Sequence, residues 1–336
     1  MTDQTAPPPP GGLPTPAATA HVSVPQAPRL AMSGGDWAVL LFLSLIWGGS
    51  FFFVAVAVQE LPTLTIVLFR VTVAALVLWT VVALRGAPLP RDPRVWLTFL
   101  LLGLVNNAIP FGLIVWGQQV LDSGLASILN ATTPLFTVVI AGVFLADERL
   151  SLARVLGVLT GFAGVVLMIG FDSLAGLAGH AIAQVAILGA ACAYAVSAVL
   201  ARRFGSLGPD PVVTAAGQVT GAALFLAPAA AVIDRPWQLA VPSAPVWASL
   251  LALAVVSTAL AYTLYFRLLR RAGATNLVLV TFLVPVTAIL MGVLFLDERL
   301  AWVHGLGLAL IAAGLVAIDG RLLRRGGRQG GGQGGR

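Results

Sequence analysis

The sequence predicts an all-α integral membrane protein with ten transmembrane helices, arranged as two inverted five-helix repeats. The first observation behind this prediction is composition. Of 336 residues, 59% are hydrophobic and 10% are charged, whereas soluble domains average about 25% charged residues. The second observation is a series of long apolar stretches, and the third is a duplication of the sequence. Together they exclude a soluble globular protein.

The apolar stretches are each about as long as the ~20 residues that a helix needs to cross a bilayer. Helices are expected because backbone amides in hydrocarbon must pair within their own segment, and the stretches are too uniformly apolar for barrel strands. The predicted spans lie near residues 37–58, 62–84, 95–116, 123–145, 151–171, 181–200, 211–233, 245–267, 274–296 and 302–320. Their connections are short and leave no room for a soluble catalytic domain.

The spans divide the chain into four parts. Residues 1–36 form a Pro- and Ala-rich N-terminal tail with too little apolar mass to fold, which predicts disorder. Residues 37–171 hold the first five-helix repeat, and residues 181–320 hold the second. Residues 321–336 form a basic C-terminal tail rich in glycine and arginine.

The arginines indicate the orientation in the membrane. Sixteen of the 19 basic residues, all of them arginine, lie in the tails or in the even-numbered connections between spans. Because cytoplasmic connections retain positive charge, both termini are expected in the cytoplasm of a multi-pass protein of the cell membrane. The arginines lie between apolar runs rather than along a solvated stripe, which argues against a nucleic-acid partner.

The two halves of the sequence match in order at an offset of about 148–151 residues. Asp147-Glu148-Arg149-Leu150 recurs as Asp297-Glu298-Arg299-Leu300, and Val95-Trp96 recurs as Val246-Trp247. Ordered matches of this kind are typical of a duplication. Five spans per copy is an odd number, so the second copy must enter the membrane from the opposite face. Such inverted pairs can exchange outward-open and inward-open conformations around one central site, although an inverted repeat could also build a channel.

Four short motifs accompany the repeat. They are Trp47-Gly48-Gly49-Ser50-Phe51 in span 1, Phe69-Arg70 before an Ala-rich stretch in span 2, a proline inside spans 4 and 9, and the acidic-Arg-Leu end of each of those two spans. With the double repeat, they make residues 37–320 resemble the EamA type of the drug/metabolite transporter superfamily. The resemblance implies export or exchange of small metabolites, and a central cavity enclosed by spans 1, 3, 4, 6, 8 and 9.

Pro134 and Pro285 lie near the middle of spans 4 and 9. A proline removes one amide donor and frees the carbonyl four residues earlier, here that of Asn130 and that of Thr281. Paired helix breaks at this depth predict hinges that offer backbone oxygen to a substrate or ion, as the discontinuous helices of transporters do. The alternative is a simple kink packed against a neighbouring helix.

Polar and large aromatic side chains within the spans are the candidates for substrate binding. The predicted site residues are Asn106, Asn107, Asn130, Arg70, Trp47, Tyr194, Ser257 and Tyr262. The alternative is that the amides and hydroxyls bridge neighbouring helices, since such bonds contribute roughly 0.6 to 2 kcal/mol in membranes.

Arg70 lies about 12 Å into span 2, eight residues after Pro62, at a rise of 1.5 Å per residue. A charge at this depth is costly and is functional by default, either as the counter-charge of an anionic substrate group or as half of a gate ion pair. Glu60 is the nearest candidate partner in sequence, and a pair with it would make Arg70 structural. The repeat counterpart of Arg70 is the uncharged Gln218.

The acidic and basic residues at the ends of spans 4 and 9 could act as gates at the two faces. These candidates are Glu148, Arg149, Glu298 and Arg299. The alternative is a solvated cluster at a helix end, where ion pairs contribute little.

The sequence favours a secondary transporter, an exporter or exchanger that moves a small zwitterionic or weakly polar organic metabolite across the cytoplasmic membrane by alternating access. A channel-like passive pore is the alternative. Paired carboxylates, clustered histidines and Gly-rich phosphate loops are missing from the sequence, so we expect neither an enzyme nor a metal or cofactor. Besides the metabolite and the lipid bilayer, a homodimer is a possible partner, because Gly157-x-x-x-Gly161 and Gly305, Ala309 and Ala313 predict smooth faces that pack closely within one chain or between two.

Overall fold

A computed structural model describes residues 32–145, 151–174, 178–204, 209–277 and 279–319, and within these ranges the long regular segments are all helices. The predicted tails fall almost entirely outside the described residues. The helices are α1 (Gly34–Ala57), α2 (Thr63–Arg85), α3 (Pro93–Gly103, Leu104–Ala108 and Ile109–Gly117), α4 (Ser123–Asn130 and Thr133–Phe144), α5 (Leu152–Leu174), α6 (Ala178–Phe204), α7 (Pro211–Ile233), α8 (Ala244–Leu251, Ala252–Leu260 and Ala261–Leu277), α9 (Leu279–Phe295) and α10 (Trp302–Asp319).

Among the described residues, eight helices are long and apolar enough to cross a membrane, and the apolar segments of α9 and α10 are shorter, at 10–17 residues. Large apolar side chains are exposed along them, such as Leu84 (82% exposed), Val143 (70%) and Phe295 (67%). A water-facing surface does not carry apolar side chains in this number. The chain is therefore a multi-pass membrane protein whose helices face lipid.

Two of the helices contain a π-helical stretch. In α3 it spans Leu104–Ala108 and holds Asn106 and Asn107, and in α8 it spans Ala252–Leu260 and holds Ser257 and Thr258. The two polar pairs are 151 residues apart, the offset that also relates Val95-Trp96 to Val246-Trp247. The two halves thus widen the helix and place polar side chains at equivalent positions, and π-helical turns in α-helices are frequent at functional sites.

The helix α4 is interrupted where Pro134 predicts a break. Its first segment ends at Asn130 and its second begins at Thr133, and the carbonyl of Asn130 accepts a hydrogen bond of 2.8 Å from the Thr133 hydroxyl. The predicted break at Pro285 is wrong, because α9 is continuous from Leu279 to Phe295.

Packing against α1 explains why α9 stays helical through its proline. Gly48 in α1 lies so close to α9 that an added Cβ would collide with the side chain of Thr287. The Thr287 hydroxyl donates to the carbonyl of Ser44 in α1 at 2.9 Å and lies 2.9 Å from that of Val284 in α9. A proline removes a single amide donor, and these contacts support the helix around it.

The glycine-rich faces of α5 and α10 pack against each other within the chain. A Cβ built on Gly157 would lie 2.6 Å from the carbonyl oxygen of Gly314, and one on Gly164 would lie 2.7 Å from that of Gly307. Small residues allow helix backbones to approach this closely in membranes. The contact on these glycines is thus made inside one chain, whereas Gly305, Ala309 and Ala313 on α10 are exposed.

Replacing Gly157 with leucine should destabilise the fold, because the side chain would separate α5 from α10. We expect a loss of about 1–3 kcal/mol, the usual cost of overpacking a close contact, seen as a lower thermal unfolding midpoint of the detergent-purified protein. The matched control is Gly305→Leu in α10, since no heavy atom lies within 4 Å of a Cβ at that position. Equal midpoints for the two variants would contradict the assigned contact.

Candidate functional site

A cavity of about 440 Å³ lies between the helices, within the 300–1,000 Å³ range of small-molecule sites. Its lining comes from the six spans predicted to enclose it and also from α2, through Arg70, and α7, through Thr214 and Gln218. The other polar residues of the lining are Ser50, Asn106, Gln118, Ser127, Asn130, Thr133, Tyr194, Ser197, Ser257, Thr258, Tyr262, Tyr265 and Thr281.

Seven of the eight predicted site residues line this cavity. They are Trp47, Arg70, Asn106, Asn130, Tyr194, Ser257 and Tyr262. Asn107 does not line it, because its fully buried side chain points to the Tyr262 hydroxyl, to which its amide donates a hydrogen bond of 2.7 Å. The structure therefore gives Asn107 the role of positioning Tyr262.

The Tyr262 hydroxyl, two residues after the π-helical stretch of α8, bonds to the π-helical stretch of α3. It accepts hydrogen bonds from the amides of Asn106, at 3.3 Å, and Asn107, at 2.7 Å. Asn106 also donates to the side-chain oxygen of Gln218 in α7 at 3.2 Å. Since a phenol carries one hydrogen and accepts through its oxygen, the Tyr262 O–H remains available to donate, and it has no acceptor among the described residues.

Arg70 lies on the wall of the cavity and is only 6% exposed. Its Nε donates to Thr258 Oγ1 at 2.9 Å, and that hydroxyl in turn donates to the carbonyl of Leu253 at 2.8 Å. The guanidinium carbon lies 3.8 Å from the centre of the Phe111 ring, a cation–π contact.

The alternative pair between Arg70 and Glu60 is not formed in the structure. The Glu60 carboxylate accepts hydrogen bonds from the backbone N–H and the hydroxyl of Ser243, at 2.7 and 2.6 Å. Glu60 is exposed in the connection between α1 and α2, whereas Arg70 lies two turns into α2 and faces the interior. Among the described residues Arg70 has no carboxylate partner, so its charge is balanced by a hydroxyl and an aromatic ring alone.

Two residues that line the cavity have a side-chain carbonyl oxygen with no hydrogen-bond donor in the described part of the chain. They are Asn130 and Gln118. The Gln118 amide donates to the carbonyl of Phe51 at 2.8 Å, which fixes its orientation. The sequence interpretation missed Gln118, although an amide in the last turn of an apolar helix is itself a signal. A buried polar atom without a partner costs about 1–3 kcal/mol, and a bound solute could supply the missing donor.

One face of the bundle is closed by carboxylates that reach from one half to the other. Glu298 accepts from Ser123 N–H at 2.8 Å, from the Ser123 hydroxyl at 2.9 Å and from Gly124 N–H at 3.1 Å. Asp234 accepts from Thr65 N–H at 2.7 Å and from its hydroxyl at 3.0 Å. Glu298 thus caps the first turn of α4, and Asp234 caps the first turn of α2. Glu60 bonds to Ser243, the N-cap residue of α8. The helix dipole favours an anion at each of these helix starts. We call this face of the bundle the capped face.

The surroundings of the capped face shift the pKa values of two of its carboxyl groups, those of Glu60 and Asp122. The hydrogen bonds from Ser243 hold the pKa of the Glu60 carboxyl below its ordinary value. Burial raises the pKa of the Asp122 carboxyl, and the charge of Glu298 adds to this effect, while His180 and His304 oppose it. The starts of α6 and α10 therefore also lie at this face.

The structure describes two of the four residues predicted as gates, and their role stays a prediction. Glu298 contacts the other half directly. Arg299 forms no hydrogen bond or ion pair with a described residue. Glu148 and Arg149 lie outside the described residues. Among the residues that the structure describes, no group of three or more His, Cys, Asp or Glu side chains could hold a metal ion.

Several known proteins are similar to this chain in sequence or fold. The chain is 29% identical to the uncharacterised transporter YvbV of Bacillus subtilis (strain 168), over 84% of this chain and 90% of that protein. It is 27% identical to a probable amino-acid metabolite efflux pump of Escherichia coli (strain K12), over 84% of this chain and 94% of the pump. A crystal structure with 22% sequence identity matches 87% of this chain and 98% of its own with a TM-score of 0.62, which shows the fold alone.

The model of the EamA-like transporter family matches the chain twice. The first match covers residues 35–170 and the second covers residues 181–318, so each half corresponds to one copy of the family unit and the matched part spans most of the chain. This protein belongs to the EamA-like transporter family.

Proposed function

We propose that the protein is a secondary transporter that exports or exchanges small organic metabolites across the cytoplasmic membrane by alternating access. The observation that carries this proposal is the polar cavity between the two halves, closed at one face by carboxylates that each half receives from the other. A carrier needs such a site and such a closure, because access must alternate between the two sides of the membrane. The efflux pump among its relatives supports the outward direction.

Helix packing supports the inverted repeat. Helices α1 to α5 of the first half correspond in order to α6 to α10 of the second half. Equivalent helices have equivalent neighbours: α1 packs on α9 as α6 packs on α4, and α3 packs on α7 as α8 packs on α2. The pairs α2 with α7 and α5 with α10 map onto themselves. This is the pattern expected of two five-helix units related by a two-fold axis, and an odd number of spans per unit makes them antiparallel. It also argues for ten membrane crossings.

The described conformation fits an inward-open carrier. The cavity lining reaches Ala201, which is exposed at the end of α6 away from the capped face, whereas Val54 and Gln118 near the capped face are buried. The arginine distribution makes the capped face the outer one. To open outward, the protein must release the contacts of Glu298, Asp234 and Glu60.

Counterflow in proteoliposomes tests the carrier. Vesicles loaded with an excess of an exported metabolite should accumulate the same labelled compound transiently and saturably. The compound is first found by comparing metabolites in the medium of cells with and without overexpression. An ohmic single-channel current through the purified protein in planar bilayers, without counterflow, would instead support a passive pore.

The orientation is tested by labelling single cysteines. Because Cys192 is the single native cysteine, a Cys192→Ser background is required. Val241→Cys, in the connection between α7 and α8, should react with a membrane-impermeant maleimide added to intact cells, since Val241 is 86% exposed and lies at the capped face. Leu89→Cys, in the connection between α2 and α3 and 55% exposed, should react only after permeabilisation. The opposite pattern would reverse the orientation.

A further inference from the structure

The electrostatics of the cavity carry an inference about the solute. Among the described residues that line it, Arg70 is the one charged side chain, and none is aspartate or glutamate. A cation held in a largely water-excluded place, with a single hydroxyl as its hydrogen-bond partner, is costly. The bound solute is the group that can neutralise it.

The hydrogen-bonding groups around Arg70 are mainly donors. Its Nε is used by Thr258, and the remaining guanidinium N–H groups have no acceptor in the described part of the chain. Tyr194 lines the same cavity, and its hydroxyl makes no hydrogen bond with a described residue. The Tyr262 hydroxyl accepts two amide N–H groups and keeps its own hydrogen free. Three side chains therefore present unused N–H or O–H donors to one cavity, the requirement for binding an anion.

Besides neutral polar side chains, the wall of the cavity carries several flat aromatic rings. The Phe111 ring covers the guanidinium at 3.8 Å, and Trp47 and Tyr265 pack together with ring centres 5.7 Å apart. Phe51 and Phe266 also line the cavity. Rings of this kind favour a planar apolar solute, through stacked or edge contacts.

We propose that the cavity selects small amphipathic monoanions, carboxylates with an aromatic or other flat apolar body. Arg70 and the hydroxyls of Tyr194 and Tyr262 bind the carboxylate, and the aromatic walls hold the body. An ammonium group finds no carboxylate among the described lining residues, and the unpartnered amide oxygens of Asn130 and Gln118 could accept its hydrogens but carry no charge to balance it. The inference rests on the proposed transport function and replaces the zwitterionic solute expected from the sequence with an anion.

Four phenyl compounds of similar size separate the possibilities: phenylacetate, phenylalanine, phenethylamine and 2-phenylethanol. Binding to the full-length protein in detergent is measured by titration calorimetry, with thermal shift as a second readout. Phenylacetate should bind at least about 10-fold more tightly than the other three. Arg70→Gln should remove this preference, Tyr194→Phe should weaken phenylacetate binding several-fold, and Arg70→Lys should retain part of it. Arg85→Gln, at the exposed end of α2, is the matched control and should leave all four affinities unchanged.

The remaining results of these experiments would contradict either the selection of monoanions or the transport function. Equal or tighter binding of phenethylamine or phenylalanine to the wild-type protein would overturn the selection of monoanions, as would unchanged phenylacetate binding by a folded Arg70→Gln variant. If phenylacetate binds in an Arg70-dependent manner but shows no counterflow in proteoliposomes, the transport proposal fails and the anion site stands. Counterflow of phenethylamine in place of phenylacetate would uphold transport and reject the anion site.

Discussion

Replacing Asn130 with alanine should reduce the initial rate of counterflow about 10- to 100-fold while leaving expression and monodispersity intact. Asn130 ends the first segment of α4, and its side chain lines the cavity with an oxygen that no described donor satisfies. Without this oxygen, the solute donor that bonds it is left unsatisfied, which costs about 1–3 kcal/mol, and each 1.4 kcal/mol is a factor of 10 in rate or affinity. The backbone contact with Thr133 uses the main-chain carbonyl of Asn130, so the helix break should survive the substitution.

The structure argues against the alternative that Asn130 bridges two helices, since its side chain makes no hydrogen bond to another described residue. Gln59→Ala is the matched control, because Gln59 carries the same amide at an exposed site in the connection after α1, where it bonds the carbonyl of Ala55. Counterflow that is unchanged in a well-folded Asn130→Ala protein would remove Asn130 from the site.

The cavity lining was largely predictable because lipid penalises polar side chains. An asparagine or arginine inside an apolar span needs an interior position, so the residues that break the apolar pattern on different spans converge on one cavity. The break next to Pro134 was predictable for a similar reason, since it follows from the missing N–H of proline. Such predictions depend on local chemistry and on the solvent, and both can be read from a single segment.

Features that depend on distant segments were not predictable. The hydrogen-bond partner of Arg70 is Thr258, 188 residues away, whereas nearness in sequence favoured Glu60. The continuity of α9 through Pro285 is supported by the close contact with Gly48 in α1. No residue composition distinguishes a π-helical stretch from an ordinary α-helix. The equivalence of the two stretches is seen only from the polar side chains that they carry.

The role of the capped face was likewise not predictable from the sequence. A charge at a span end is ordinary in sequence, and both a gate and a solvated cluster fit Glu298. The contact with Ser123 favours a gate, because it joins α4 of the first half to the residues that follow α9 of the second. Asp234 and Glu60 make equivalent contacts, but nothing in their own neighbourhood identifies the helix start that they cap.

Replacing Glu298 with alanine should open the outer face. The substitution removes three hydrogen bonds to an ionised carboxylate from Ser123 and Gly124, and bonds to charged groups contribute about 1.5–3 kcal/mol each. A net loss of only ~1.5 kcal/mol would raise the outward-open population about 10-fold. In a Cys192→Ser background, Ser50→Cys reports on the cavity, which Ser50 lines. Its labelling by impermeant maleimide from outside should become at least about 10-fold faster in Glu298→Ala.

Two further variants distinguish a gate from a general loss of stability. Asp92→Ala removes a carboxylate cap that serves its own helix, through the N–H of Arg94 at 2.8 Å, so it should leave the labelling of Ser50→Cys unchanged. Ser123→Ala removes one of the three bonds to Glu298 and should give an intermediate rate. If Glu298→Ala and Asp92→Ala label alike, packing of the apolar side chains holds the outer face closed, and the carboxylate contacts are ordinary helix caps.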